Sequence, residues 1–303
     1  REMRIRVRLE KDVLTNYGIN TFIFVPSVYG TSNFQFDKAG EGIFIESNTS
    51  DFFHKVSDEI KIATKDKRAV IVFFRDISRM KEFTSSAFYH KLGRQKMLLT
   101  EDMSAADKEF VINKAATAGQ ITICSAVFGR GTDFFCKDER VQKNGGGQII
   151  QTFLSAEQSE EVQIQGRTSR QGKRGSYQMV LLESDLEQDF GLRPGEKENV
   201  ARQDCYKWLC RARDERHSKY CQEIEANLVD ATQKDLNTHS YFDALLAANQ
   251  PETSKLFKEI YLAMKKSPRP STMDLDLTFV IDTTGSMAPY SRAASATAKS
   301  LID

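Results

Sequence analysis

Apolar positions change their period along the chain. From about residue 51, helical spacing and short unbroken apolar runs alternate. Phe53, Val56, Ile60 and Ala63 recur at helical spacing, and the run Ala-Val-Ile-Val-Phe-Phe at 69–74 follows, the pattern of a strand covered on both faces. Ile77, Met80 and Phe83 mark the next helix face. Second and third strands are expected at 96–100 and 121–127, separated by a helix that Asp102-Met103-Ser104 can start and Gly119 can stop. Strands are expected again at 148–154 and 177–182, with a polar helix from about Glu157 between them. This rhythm predicts an α/β unit over 51–192, a mostly parallel sheet with helices on both faces. In such sheets function gathers at the carboxyl ends of the strands.

The flanks read differently. Residues 1–50 are expected to be a β-rich opening segment, with alternation at 4–9 and short apolar runs at 22–26 and 42–45. Residues 196–266 carry no strand pattern, and Tyr220, Ile224 and Leu228 recur at helical spacing, so a helical segment is expected. Two prolines mark a linker at 267–273. After it, an apolar strand at 275–282 opens a further α/β unit over 274–303, read as truncated. The chain opens on Arg1 and not Met, and is read as a fragment of something longer.

Composition narrows the function classes. Among 303 residues, Lys+Arg number 43 and Asp+Glu 42, a net charge of +1 that disfavours a globally basic nucleic-acid binder. No apolar run approaches the roughly 18 residues a membrane span needs. The 5 cysteines form no C-x-x-C pair and read as reduced thiols of a cytoplasmic protein, peripheral membrane contact remaining open.

Two stretches carry candidate chemistry. Gly129-Arg130-Gly131-Thr132-Asp133 follows the third strand, where glycines let backbone approach a ligand and Arg130 and Asp133 offer polar contacts; alone, it is also an ordinary glycine-rich turn. Gln163-Ile164-Gln165-Gly166-Arg167-Thr168-Ser169-Arg170-Gln171-Gly172 falls on the helix after the fourth strand. Arg167 and Arg170, three apart, are expected on one helix face, where two guanidinium forks suit a phosphate chain; a solvated basic stripe is the competing reading. Both stretches are expected at the same edge of the sheet.

In this order, with Gly145-Gly146 and Ile149-Ile150 between them, the two stretches resemble the second motor domain of the SecA family, superfamily 2 helicase-type ATPases that drive protein translocation. The resemblance covers roughly 15–190, and 22–26 is similar to the strand by which that family re-enters its motor. It implies a RecA-like sheet, ATP and Mg²⁺ as cofactors, Arg167 and Arg170 as catalytic arginine fingers, and Gly129, Gly131, Asp133 and Gln163 at the nucleotide or the partner motor domain. Some neighbours depart from the family pattern: Ala126-Val127-Phe128 stands before the glycine stretch, Gln165 replaces an Arg, and Ser169 replaces a Gly. No G-x-x-x-x-G-K-[ST] and no acidic box after a strand occurs, so the phosphate cradle is expected from an upstream first motor domain and this chain alone is expected to be inactive.

Asp282-Thr283-Thr284-Gly285-Ser286 ends the last apolar run and resembles the metal motif of von Willebrand factor A domains, which implies Asp282, Thr284 and Ser286 as Mg²⁺ ligands. The combined expectation is one half of an ATP-driven motor acting on a polypeptide. A degenerate motor serving as a metal-dependent scaffold, and a nucleic-acid helicase, stay open.

Overall fold

The unbroken apolar run after residue 68 becomes the middle of a sheet. The computed structural model describes Tyr29, residues 32–39 and 42–134, Cys136 and residues 138–266. The strands expected at 4–9 and 22–26, the linker at 267–273 and the Asp282, Thr284 and Ser286 group lie outside the described residues. The chain divides into two compact units, 1–223 and 224–303.

In the first unit the strands are β1 (Asn33–Gln35), β2 (Ile43–Glu46), β3 (Val70–Phe74), β4 (Lys96–Leu99), β5 (Ile121–Ser125), β6 (Gly147–Gln151) and β7 (Arg174–Leu182). They form one sheet in the order β1-β7-β6-β3-β5-β4, with β2 also on β7, and every pairing is parallel. β1 runs beside the first residues of β7 (Asn33 opposite Arg174) and β2 beside its last (Glu46 opposite Leu182), so two short strands share one edge. The chain leaves β3 for β4 and β5 on one side, then crosses to β6 and β7 on the other.

Alternate strand residues enter opposite cores, as the period of two requires. Val70, Val72 and Phe74 face one layer with Ile123, Ile150 and Val180, covered by helices α1 (Thr49–Lys65) and α2 (Ile77–Ser85) through Phe52, Val56, Ile60, Met80 and Phe83. Ile71 and Phe73 face the other with Ile149, Tyr177 and Met179. After the short α3 (Ala87–His90), that second layer is covered by α4 (Ala105–Ala115) through Val111 and Ala115. Helices therefore lie on both faces, as the apolar pattern predicts. Their starts are set locally: the side chains of Asn48, Asp76 and Ser104 accept from the amides of Asp51, Arg79 and Asp107 at 2.9, 2.8 and 3.2 Å, filling donors that a helix N-terminus leaves open.

Among the described residues this unit also holds α5 (Glu139–Lys143), α6 (Gln158–Gln165) and α7 (Glu183–Phe190). α8 (Cys205–Leu246) begins here, with Leu209 in the second core. Lys197 holds the segment before it, donating to Ser47 Oγ at 2.6 Å and pairing with Glu183 at 2.8 Å. In the second unit α8 turns through Ala248, at φ 53, into α9 (Gln250–Lys266), and Tyr241 meets Phe257 with ring centroids 6.1 Å apart. Among the described residues no helix is long and apolar enough to cross a membrane.

Candidate functional site

β5 ends in a tight turn, Ala126–Gly129, and the glycine stretch starts there. Gly129 lies so close to α6 that a Cβ on it would sit 2.6 Å from Cγ1 of the fully buried Ile164. Its lack of a side chain seats the stretch on the helix. Gly131 has φ +71, the left-handed region that glycine occupies without strain, and turns the chain toward Thr132 and Asp133.

The second stretch departs from its expected form. α6 stops at Gln165, and the amide of Gly166 closes the last turn on Val162 O at 2.9 Å. Ser169 and Gln171 then take φ of 55 and 54, left-handed values that break the helix. Arg167 and Arg170 therefore do not share a helix face. They leave a bent loop between α6 and β7, and α6 has by then returned from the carboxyl end of β6 to the amino end of β7. Thr168 Oγ1 donates to the carbonyl of Gly147, the first residue of β6, at 2.9 Å, which ties the loop to the amino end of the strands. The two stretches, expected at the same edge of the sheet, come together along its flank.

They do meet. Arg167 Nε donates to Gly129 O at 2.8 Å and to Gln163 O at 3.1 Å, and its Nη1 donates to Thr132 O. Arg170 Nε donates to Gly166 O at 3.1 Å, and its Nη1 pairs with Asp133. Arg167, Arg170, Gly129, Gly131, Asp133 and Gln163 thus lie in one neighbourhood, Gln163 contributing its backbone carbonyl while its side chain is exposed. Arg130 turns away, toward Glu157 and Ser159 at 3.5 and 3.3 Å.

The two arginines differ in setting. Arg167 is partly buried, and that burial, followed by the adjacent Arg170 charge, lowers its pKa against the opposing pull of Asp133. Arg170 and Asp133 stand in solvent, 41% and 63% exposed. Behind the loop a cavity of about 40 Å³, lined in part by Phe134, Ile149, Arg167 and Arg170, has room for water and not for a nucleotide. Chemically the loop presents the exposed guanidinium of Arg170 with the partly buried Arg167 behind it, an arrangement suited to an anion presented from outside.

Sequence reasoning missed the support under α6. Glu161 is buried and bonds to Arg213 and Tyr206 on α8 and to Gln165, at 2.6, 2.6 and 2.9 Å. Glu161 reads as one more charge on a polar helix, and its partner lies 52 residues on. Among the described residues no group of three or more His, Cys, Asp or Glu side chains is placed to hold a metal ion.

No family model matches the chain. It is 36% identical over 140 residues to the protein translocase subunit SecA of Syntrophus aciditrophicus, which covers 46% of this chain and 16% of that protein. It is 31% identical over 140 residues to SecA of Halothermothrix orenii, with the same 46% and 16% coverage, and 30% identical over 135 residues to SecA 2 of Rhodopirellula baltica, 44% of this chain and 20% of that protein. The chain thus spans only 16–20% of the length of these relatives. Among solved structures, it is similar to the E. coli DEAD-box protein SrmB (16% identity, 49% of this chain, 81% of that one, TM-score 0.39) and to domain 2 of the Mss116p DEAD-box helicase (17%, 53%, 60%, 0.38). At those TM-scores neither adds to what the strand order shows. Over nearly half of its length the chain is similar in sequence to SecA translocase subunits.

Proposed function

We propose that this chain supplies the second motor domain of a SecA-like ATPase, offering Arg170, with Arg167 behind it, to the γ-phosphate of ATP held with Mg²⁺ on an upstream first motor domain. In this reading closure and reopening of the two domains move or remodel a polypeptide, in the cytoplasm or at a membrane surface. The carrying observation is that two stretches roughly 30 residues apart in sequence are joined by Arg167 to Gly129 and Thr132 and by Arg170 to Asp133.

The donor set fits a phosphoryl group. Nη2 of each arginine makes no bond among the described residues, while the other nitrogens are held in place by carbonyl oxygens and Asp133. Bound ATP would supply the phosphoryl group and Mg²⁺ would offset its charge. Arg167 keeps the glycine stretch on α6. Asp133 holds the exposed guanidinium of Arg170, which on closure would exchange that carboxylate for a phosphoryl oxygen. Gly129 and Gly131 shape the surface that approaches the partner domain, and Gln163 braces Arg167 through its carbonyl. The von Willebrand A-like reading of 274–303, with Asp282, Thr284 and Ser286 on Mg²⁺, is supported by the sequence pattern.

The test joins this chain to its upstream motor domain. Arg170→Ala is expected to lower kcat about 10³-fold or more, as loss of an arginine finger does, with KM for ATP nearly unchanged. Undiminished turnover in the variant would return the loop to a solvated basic surface, and a parent protein without turnover would leave a non-hydrolysing docking module.

A further inference from the structure

α6 rests on two buried residues, Ile164 and Glu161. Ile164 seats the glycine stretch. Glu161 seats the root of α8, and it does so as a charge. Its side chain is 0% exposed and that of Arg213 is 3% exposed, with Nη2 donating to Oε2 at 2.6 Å. Oε1 of the same carboxylate accepts from the Tyr206 hydroxyl at 2.6 Å and from Nε2 of Gln165, the last residue of α6, at 2.9 Å. Gly166 and Arg167 follow directly.

This pair is poorly built for stability alone. Desolvating two charges opposes folding, and an apolar pair of similar volume often serves as well or better. Nε and Nη1 of Arg213 are also buried without an acceptor among the described residues, a further cost. What the ion pair adds is direction. Two donors from α8 converge on one carboxylate and fix both the rotation of α6 about its axis and its position along it. An apolar contact restrains neither so sharply. The residues that inherit that setting are Gln163 to Arg170.

We propose that Arg213 and Tyr206 are positioning residues: through Glu161 they set the register of α6 and so place Arg167 and Arg170, and they make the root of α8 the element whose displacement reaches the arginine loop. The consequence for catalysis rests on the phosphate-facing reading of those arginines. The placement itself does not.

The experiment has two arms. In the 303-residue chain, Glu161→Leu with Arg213→Met replaces the ion pair by an apolar one. This double variant is expected to stay folded, with Tm at or above that of the parent. Amide hydrogen exchange over 164–170 is expected to speed up about tenfold while β3, β5 and β6 keep their protection. Tyr206→Phe, which removes one hydroxyl, is expected to speed exchange there about threefold, and it decides the matter if the double variant does not fold. In the protein that includes the upstream motor domain, both variants are expected to lower kcat at constant KM, the double by about tenfold. Parental exchange over 164–170 in a folded variant would overturn the proposal. If instead Arg170→Ala leaves ATP turnover intact, the phosphate reading fails while the exchange result stands. If Arg170→Ala abolishes turnover but the double variant keeps parental exchange and kcat, positioning through Glu161 fails and the phosphate reading survives.

Discussion

Arg167 and Arg170 should separate cleanly in a stability measurement on the 303-residue chain, with no nucleotide present. Arg167 bonds to three backbone carbonyls, Gly129 and Thr132 from the first stretch and Gln163 from the second. Each such bond contributes a net of about 0.5–1.5 kcal/mol. The side chain is only partly buried, so the carbonyls regain water when it is removed, and the low end of that range applies. Arg167→Ala is then expected to cost about 2 kcal/mol, which in a unit of this size lowers Tm by about 4–8 °C. Arg170 makes one carbonyl bond and an exposed pair with Asp133, and exposed pairs contribute about 0–1 kcal/mol. Arg170→Ala is expected to cost about 1 kcal/mol and to lower Tm by about 2–4 °C. Salt sharpens the contrast. Raising NaCl to about 1 M shortens the screening length to about 3 Å and should erase the ion-pair share of the Arg170 effect, leaving that of Arg167, whose hydrogen-bond partners are neutral. Arg167→Lys should recover little, since an ammonium cannot span carbonyls set apart as the planar fork does. Calorimetric or circular-dichroism melts decide it. Equal losses for the two alanine variants, or full recovery with Lys, would refute the division of labour between the clamp and the exposed finger.

Gly129→Ala is expected to destabilise by about 1–3 kcal/mol through overpacking against Ile164. Because Ile164→Ala removes the clashing Cγ1, a double-mutant cycle by urea unfolding should give a combined loss smaller than the sum, and additivity would count against the close contact. Glu183 provides a pH test: burial pushes its carboxyl up, but Lys197, the Gly195 amide and Ser47 bring it net below its ordinary 4.5. A folded pKa depressed below the unfolded one contributes stability that is present above about pH 4.5 and lost as pH falls through the folded value. The Tm deficit of Glu183→Gln should therefore be largest near neutral pH and shrink toward pH 3, and a deficit independent of pH would contradict the assignment.

The sheet was legible because strands buried on both faces are largely apolar. Val70–Phe74 and Ile121–Ser125 are buried at every position and stand out as runs in the sequence. Edge elements carry no such signal. β1 holds Asn33, Phe34 and Gln35, and it is a strand only because its backbone pairs with β7. The first residues of β7, Arg174 to Ser176, read as the tail of a basic loop for the same reason. α5 is five residues long and too short to show a period.

The arginine site was legible in its members and not in its geometry. The spacing of Arg167 and Arg170 suggests one helix face, yet the left-handed backbone at Ser169 and Gln171 ends that periodicity, and non-glycine residues give no warning of it. The local habit survives in part, since each arginine donates from Nε to the carbonyl four residues before it, Gln163 and Gly166. Convergence comes from capture by the glycine stretch. Gly129 changes meaning in the same way: its openness reads as room for a ligand and turns out to be room for Ile164. α6 is thus held on one side by an apolar contact that sequence spacing cannot place and on another by Glu161, whose partner on α8 is remote in sequence. The loop that follows α6 takes its position from both contacts. A change at Arg213 should therefore reach Arg167 without touching it.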